Sequence, residues 1–218
     1  MAVDAIIFDF DGVIIDTESP DLEVWQGFFR SHGLDVATSL WATRTGYNEG
    51  DVFDPARHFE RLTGQRFDEA LREEMFQRYL DRCRQQPVLP GVRNLLEQAA
   101  RRGVKLAIAS SSFRKWVEPL LKQHKLWHYF DCVCTREDVK QGKPAPDLYL
   151  AAAECLGLPV DRCVAIEDSP NGMRAALAAG IRCIAVPNPV TARLEWPPAP
   201  LTVASLADLE LQALLSRF

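Results

Sequence analysis

Short apolar runs alternate with longer amphipathic stretches along most of the chain. Five runs lack the regular polar alternation of a half-exposed strand, as is typical of strands buried on both faces of a parallel sheet. These predicted strands cover 5–9, 104–109, 132–134, 163–166 and 182–186. Helical patterns lie between them, at 92–102, 113–124, 147–156 and 171–179. This alternation predicts βαβ units, and therefore an α/β fold with a doubly wound parallel sheet.

One long segment departs from this rhythm. Residues 18–87, between the first and second predicted strands, contain no strand-like run. Their helical patterns are rich in charged and aromatic side chains, and cover 21–32, 55–63 and 68–84. We therefore predict an α/β core domain made of residues 1–17 and 88–218, with residues 18–87 inserted into it as a helical cap domain.

Composition and charge narrow the class of protein. The net charge is −5 and lysine and arginine form only short pairs, which argues against a nucleic-acid or anionic membrane surface. No stretch approaches the roughly 18 apolar residues of a membrane span. The six cysteines include no CxxC pair and lie mostly in apolar runs, so we interpret them as reduced core thiols rather than ligands or disulfides. We expect a cytoplasmic monomer.

Polar side chains follow the predicted strands where each one ends. Asp9 closes IIFD, Ser110 closes KLAIAS, and Glu167 and Asp168 close VAIED, while Lys143 precedes a helix in QGKPAPD. The carboxyl ends of parallel strands share one edge of a sheet, and ligands bind there. Taken singly, each of these residues is more often a capping, turn or loop residue. Their joint placement after strands favours one converged site.

Three acids this close need a compensating charge. A hard cation such as Mg²⁺ takes oxygen ligands from one or two carboxylates, water and substrate phosphate. A lysine and a hydroxyl beside it complete the parts of a phosphoryl-transfer site, where catalysis is mostly positioning and charge stabilisation. At the strand end Asp9 can attack phosphorus, and Asp11 can act as acid and then as base. Gly12 permits the tight turn that aims Asp11, and Asp16 is expected to cap the helix that follows.

The four motifs in this order resemble those of the haloacid dehalogenase-like hydrolases with a helical cap. They are DFDGVIIDTE, AIASSS, GKPAPD and EDSPNG. The resemblance implies that Asp9 is the nucleophile and Asp11 the acid/base. It implies that phosphate is held by Ser110, Ser111 and Lys143. It further implies that Mg²⁺ is bound by Asp9, Asp11 and Asp168, with Glu167 at or near the metal, and that the partner is a small phosphorylated substrate.

The resemblance leaves the reaction on that substrate open. We favour a phosphatase acting on a sugar or nucleoside monophosphate. The alternative is a β-phosphoglucomutase-type isomerase, whose cap carries a histidine where this chain has Asp21 and a lysine and arginine where it has Thr45 and Glu49. Acids there would repel a second phosphate. Dehalogenation is disfavoured because it uses no acid like Asp11, and phosphonate hydrolysis because residues 18–90 contain no lysine.

A second alternative is a non-hydrolytic phosphoacceptor or a silent relative. Receiver domains of response regulators also form an aspartyl-phosphate, but they lack a cap and an acid/base like Asp11. The cap is expected to close over the site and choose the substrate. Its candidate specificity residues are Asp21, Arg44, Tyr47 and Glu49.

Overall fold

The computed structural model describes residues 3–42 and 53–217. Its strands are β1 (Ala5–Phe8), β2 (Lys105–Ala109), β3 (Cys132–Cys134), β4 (Cys163–Glu167), β5 (Arg182–Ala185) and β6 (Leu201–Thr202). All pair in parallel, in the order β3-β2-β1-β4-β5-β6. The chain therefore starts in the centre of the sheet, builds one half outwards, and returns past β1 to build the other. This confirms the predicted α/β fold with a doubly wound parallel sheet.

The register of the central strands determines where their carboxyl ends meet. Phe8 at the end of β1 lies opposite Ile108 of β2 on one side and Ile166 of β4 on the other. The residues that follow these positions therefore emerge side by side. This is the point where the strand order reverses, and open α/β sheets bind their ligands there.

Helices cover both faces of the sheet. Along β1, Ile6 and Phe8 pack to one side and Ala5 and Ile7 to the other, as the two-residue period of a strand requires. The Phe8 side carries bulky side chains from α5 (Val92–Arg101), α6 (Arg114–Gln123) and α9 (Leu211–Arg217). The opposite side is lined mostly by small residues, and meets α7 (Asp147–Leu156) and α8 (Pro170–Ala178). Each large apolar side chain buried here contributes about 1.5–3 kcal/mol.

In the part of the chain that the structure describes, four helices precede α5: α1 (Glu18–Ser31), α2 (Thr38–Ala42), α3 (Pro55–Thr63) and α4 (Glu69–Gln85). They have an apolar cluster of their own, made of Val24, Phe28, Phe29, Val36, Ala56, Phe59, Phe67 and Met75. Trp25 packs against this cluster and stacks on Phe67, with 5.3 Å between ring centres. An inserted domain requires an apolar core of its own, and this cluster is such a core. The division at residues 18–87 stays a prediction.

The ends of the helices follow from local capping. The Asp54 carboxylate accepts hydrogen bonds from the amides of Ala56 and Arg57. Pro55 can begin α3 because the first N–H of a helix has no acceptor within the helix, so its absence costs no hydrogen bond. Asp68 caps α4 in the same way. Helix α1 begins three residues earlier than the predicted 21–32, because the Asp16 carboxylate accepts the amide of Ser19 at 2.9 Å. Helix α2 was not predicted, since TSLWA is too short to show a period.

The cysteine interpretation was wrong for one pair. Cys132 and Cys155 form a disulfide, with Cα atoms 6.1 Å apart. The cause is tertiary: α7 packs on the edge strand β3, which brings its C-terminal turn beside the start of that strand. The other four cysteines are free and buried, as predicted: Cys83, Cys134, Cys163 and Cys183. The inference of a reducing compartment rested on unpaired cysteines, and it loses that support.

Within the described ranges, no helix combines the length and apolar character that crossing a membrane requires.

Replacing Cys155 by serine tests the disulfide. The bond closes a loop of sequence separation 23, so the variant is expected to lose about 3 kcal/mol of unfolding free energy in non-reducing buffer. Urea unfolding of wild type and Cys155→Ser, each with and without dithiothreitol, measures the loss. With dithiothreitol the two proteins should unfold alike. Equal stability without the reductant would show that the disulfide is not formed in solution.

Candidate active site

The sheet brings together the polar residues that follow its central strands. Asp9 comes directly after β1, Glu167 ends β4, and Lys143 reaches both from the loop before α7. The Lys143 ammonium donates to Asp9 Oδ1 at 2.5 Å and to Glu167 Oε1 at 2.6 Å. Only 3% of the lysine side chain is exposed. Removing one partner from such a buried ion pair leaves an uncompensated charge and costs about 3–5 kcal/mol.

Two further side chains hold Glu167. The Tyr149 hydroxyl, on α7, donates to Oε1 at 2.6 Å, and the Ser169 hydroxyl donates to Oε2 at 3.2 Å. Gly172, in the first turn of α8, is required by the same carboxylate, since a Cβ there would lie 1.9 Å from Glu167 Oε1. The sequence analysis missed Tyr149 and Gly172. Tyr149 could have been found from its position on the buried face of a predicted helix, because a buried hydroxyl needs a hydrogen-bond partner.

The described residues do not fully compensate the acids at this edge of the sheet. Burial raises the pKa of Asp9 to about 8, against the lowering effect of Lys143, and Glu167 and Asp11 raise it further. Burial, followed by repulsion from Asp9, Glu18 and Glu167, raises the pKa of Asp168 well above its ordinary value. For Lys143, burial acts to lower the pKa, but the carboxylates of Asp9 and Glu167 outweigh it and raise the pKa above its ordinary value.

This charge balance suits a bound cation. Asp9, Glu167 and Asp168 can each offer a carboxylate oxygen, and the three oxygens lie within 4.8 Å of one another. Among residues 3–42 and 53–217, one lysine faces three acids, which leaves an excess of negative charge in a buried position. The donors are hard oxygens, which Mg²⁺ and similar ions prefer. The residues present therefore fit a divalent cation, and Asn188 orients one of them by donating to Asp168 Oδ2 at 2.6 Å.

The carboxylate of Asp11 is contacted by donors that follow β2. Ser112 Oγ donates to Asp11 Oδ2 at 2.6 Å, Ser110 Oγ lies 3.4 Å from the same oxygen, and Trp116 Nε1 donates to Oδ1 at 3.0 Å. The Ser111 hydroxyl is buried and has no hydrogen-bond partner among the described residues. Ser112 and Trp116 were not predicted as site residues. Trp116 lies in an amphipathic helix, where an aromatic residue ordinarily indicates packing.

Gly12 follows Asp11 because nothing larger fits. Its φ is +76°, in the left-handed region where a side chain is strained. A Cβ at this position would also lie 2.0 Å from Asp168 Oδ2. The turn after β1 thus passes directly against the carboxylate that follows β4, which joins the first and last motifs of the site.

The predicted cap residues divide into two groups. Arg44, Tyr47 and Glu49 lie outside the described residues. Asp21 lies in the first turn of α1. Burial raises the pKa of Tyr79 on α4, and the charges of Asp11, Cys83 and, after them, Asp21 raise it further. Asp21 is therefore near the same phenol that senses the charge of Asp11.

Comparisons with known proteins agree with this geometry. A family model described as haloacid dehalogenase-like hydrolase matches residues 3–180. YhcW of Bacillus subtilis is 40% identical over 214 residues, which cover 98% of this chain and 96% of YhcW. Hexitol phosphatase B of Escherichia coli is 34% identical over 195 residues, 85% of this chain and 84% of that protein. A hydrolase of Deinococcus radiodurans, solved with phosphate and sodium, superposes with a TM-score of 0.80 at 28% identity, covering 99% and 96% of the two chains.

Substituting Gly12 by alanine is expected to disrupt the acidic group, because the new methyl must displace Asp168. Gly33 provides a matched control: its φ is +70°, but no atom lies within 4 Å of a Cβ placed there. Both variants lose about 1 kcal/mol to backbone strain. Gly12→Ala should lose at least about 2 kcal/mol more, as overpacked sites do. Thermal unfolding of the two variants measures the difference. Equal losses would mean that Gly12 serves only the turn.

Proposed function

Because the chain belongs to the haloacid dehalogenase-like hydrolases and is a phosphoric monoester hydrolase of that family, we propose that it is a Mg²⁺-dependent phosphatase of a sugar or nucleoside monophosphate. The reaction passes through an aspartyl-phosphate on Asp9. The observation that carries this proposal is the bridge from Lys143 to Asp9 and Glu167, with Asp168 beside it. It combines a nucleophile, a buried cation and a set of metal-binding oxygens in one place.

The metal would be held by Asp9, the backbone carbonyl of Asp11 and Asp168, with Glu167 at or near it. When bound, Mg²⁺ supplies positive charge that offsets the carboxylates and the phosphate. The nearby Asp168–Asn188 contact keeps one of these carboxylates oriented. Lys143 contributes a second, permanent positive charge to the same place.

In the first step Asp9 attacks the substrate phosphorus. Lys143 engages Asp9 Oδ1, so we assign the attack to Oδ2. The bond from Oδ2 to phosphorus forms while the bond from phosphorus to the substrate oxygen breaks, and Asp11 donates the proton that this oxygen needs. Lys143 stabilises the charge on the transferred phosphoryl group, and the hydroxyls of Ser110 and Ser111 donate to its oxygens in this proposal.

In the second step water releases the phosphate. Asp11, now a carboxylate, accepts a proton from water as the water oxygen bonds to phosphorus. The bond from phosphorus to Asp9 Oδ2 breaks, which returns Asp9 as a carboxylate and frees inorganic phosphate. The helices of residues 18–87 exclude bulk water during this sequence, and they select the leaving group through Asp21, Arg44, Tyr47 and Glu49.

The alternatives are weaker on specific grounds. Glu18 and Asp21 both lie in the first turn of α1, and Glu18 adds to the charge felt by Asp168. This acidic turn disfavours the second phosphate that a phosphoglucomutase-type intermediate carries. A phosphoacceptor that only stores phosphate does not need an acid/base such as Asp11 beside the phosphorylated aspartate. The name of the Escherichia coli relative, a hexitol phosphatase, favours phosphorylated sugars or sugar alcohols as the substrate class.

The first test is phosphate release from a panel of monoesters by wild type, Asp9→Asn and Asp11→Asn, with and without Mg²⁺. The panel contains hexose, hexitol and nucleoside monophosphates and p-nitrophenyl phosphate. We expect Mg²⁺-dependent release that Asp9→Asn abolishes and Asp11→Asn slows by about 10²–10⁴-fold. Asp161→Asn is the control, since Asp161 lies before the amino end of β4, at the opposite edge of the sheet.

Two results would contradict the phosphatase proposal. Isomerisation of β-glucose 1-phosphate without net phosphate release would establish the mutase alternative. A stable phosphoenzyme that does not turn over would establish the phosphoacceptor.

The Asp168→Asn variant tests the cation site without relying on turnover. Removing one of the mutually repelling acids should raise the metal-free melting temperature by about 2–4 °C, which corresponds to about 1 kcal/mol in a chain of this size. Wild type should gain about 2.7 kcal/mol of stability at 100 times the Mg²⁺ dissociation constant. The variant should lose this gain, and Asp161→Asn should keep it. An unchanged response to Mg²⁺ in Asp168→Asn would place the cation elsewhere.

A further inference from the structure

The two carboxylate oxygens of Asp11 have partners of different chemistry. Oδ1 accepts a hydrogen bond from Trp116 Nε1 at 3.0 Å. Oδ2 is contacted by the hydroxyls of Ser112, at 2.6 Å, and Ser110, at 3.4 Å. An indole nitrogen can only donate, whereas a hydroxyl can donate or accept. The surroundings of Asp11 are therefore asymmetric with respect to a proton.

This asymmetry determines which oxygen can carry the proton that Asp11 transfers. On Oδ1 a proton would crowd the indole N–H, which cannot turn round to accept it. On Oδ2 a proton can be donated to the Ser112 hydroxyl, which rotates and accepts. Oδ1 thus serves as the anchor and Oδ2 as the oxygen that gains and loses the proton.

The indole of Trp116 also connects α4 to Asp11, because a residue of α4 packs on it. Tyr79 of α4 stacks on Trp116, with ring centres 5.7 Å apart and ring planes at 27°. The two helices meet again near their ends, where Gln123 of α6 donates to the Arg84 carbonyl at 2.7 Å. Burial and then the charge of Asp11 raise the pKa of the Tyr79 phenol, which agrees with its closeness to the acid.

We propose that Trp116 is a positioning residue, which holds Asp11 by Oδ1 so that proton transfer occurs at Oδ2, and that Tyr79 makes this hold depend on the place of α4. The inference rests on the proposed phosphatase function and deepens it. Movement of α4 across the indole would release or restore the anchor. The orientation of Asp11 would then follow the position of α4.

A structural role alone would give a different result from a positioning role. Loss of packing at Trp116 lowers stability and affects all substrates alike. Loss of correct proton delivery lowers kcat/KM most for substrates whose leaving group must be protonated as it departs. p-Nitrophenolate leaves readily as an anion, whereas the alkoxide of a hexitol must be protonated as it leaves.

The kinetic test therefore compares kcat/KM for p-nitrophenyl phosphate and a hexitol phosphate. In Trp116→Phe, which keeps a ring against Tyr79 but loses the N–H, kcat/KM for the hexitol phosphate should fall about tenfold or more, and for p-nitrophenyl phosphate by about twofold or less. The control is Trp127→Phe, since Trp127 is a partly buried tryptophan that packs against the same core. Equal losses on both substrates in Trp116→Phe would overturn the positioning role.

Two substitutions of Tyr79 test the coupling to α4. Tyr79→Leu removes the ring that stacks on the indole, while Tyr79→Phe keeps the ring and removes only the hydroxyl. We expect Tyr79→Leu to change the ratio of the two kcat/KM values in the same direction as Trp116→Phe, and Tyr79→Phe to leave it within about twofold of wild type. A wild-type ratio in Tyr79→Leu would show that Trp116 acts without α4.

The hydrogen bond itself is measured without any turnover. The chain has five tryptophans, and the indole N–H resonance of Trp116 is identified in a ¹⁵N spectrum by its loss in Trp116→Phe. That resonance should move in Asp11→Ala and stay in place in Asp161→Asn. An unmoved resonance in Asp11→Ala would overturn the anchor. Absence of phosphatase activity in wild type would instead refute the proposed function and the kinetic role with it, while the resonance still decides the contact.

Discussion

The buried ammonium of Lys143 is the interaction on which the rest of this site depends. It lies between Asp9 and Glu167, two carboxylates that come from neighbouring central strands and would otherwise repel each other in a region closed to water. In such surroundings an unpaired charge is far more costly than at the surface. The lysine makes it possible for the strands to end in acids, and it keeps a positive charge where a phosphoryl group is proposed to bind.

The lysine does not neutralise the acids completely, and the remaining imbalance gives the site its proposed chemistry. Asp168 adds a third carboxylate against the same group. Burial, and after it repulsion from neighbouring carboxylates, raises the pKa of both Asp9 and Asp168. Metal-free protein is therefore strained electrostatically at this edge of the sheet. A bound divalent cation would relieve that strain, and affinity for the metal would then be linked to the stability of the fold.

Asp11 stands in contrast to this buried group. Its partners are two hydroxyls and an indole rather than charged side chains, and they come from the segment after β2. Asp9 and Asp11, the proposed nucleophile and acid/base, thus have different partners: a charged lysine contacts Asp9, and neutral donors contact Asp11. Gly12, directly after Asp11, turns the chain in the left-handed region and lets it pass close to Asp168.

The sequence by itself determined what depends on local order. A short apolar run indicated the strand at 132–134, and helical periodicity indicated the helices at 55–63 and 147–156, all with the bounds that the structure has. Strand ends indicated that Asp9, Lys143, Glu167 and Asp168 would converge, because parallel strands share their carboxyl edge.

Only the tertiary structure decided the partners that lie far apart in the chain. The indole of Trp116 on Asp11, the hydroxyl of Tyr149 on Glu167 and the disulfide from Cys132 to Cys155 each join residues of different elements. The ring of Tyr79 meets Trp116 in the same way, across two helices. A tryptophan or tyrosine on an amphipathic helix has the same local pattern whether it packs or donates a hydrogen bond. Which of these roles the side chain has depends on the residue that the fold places opposite that side chain.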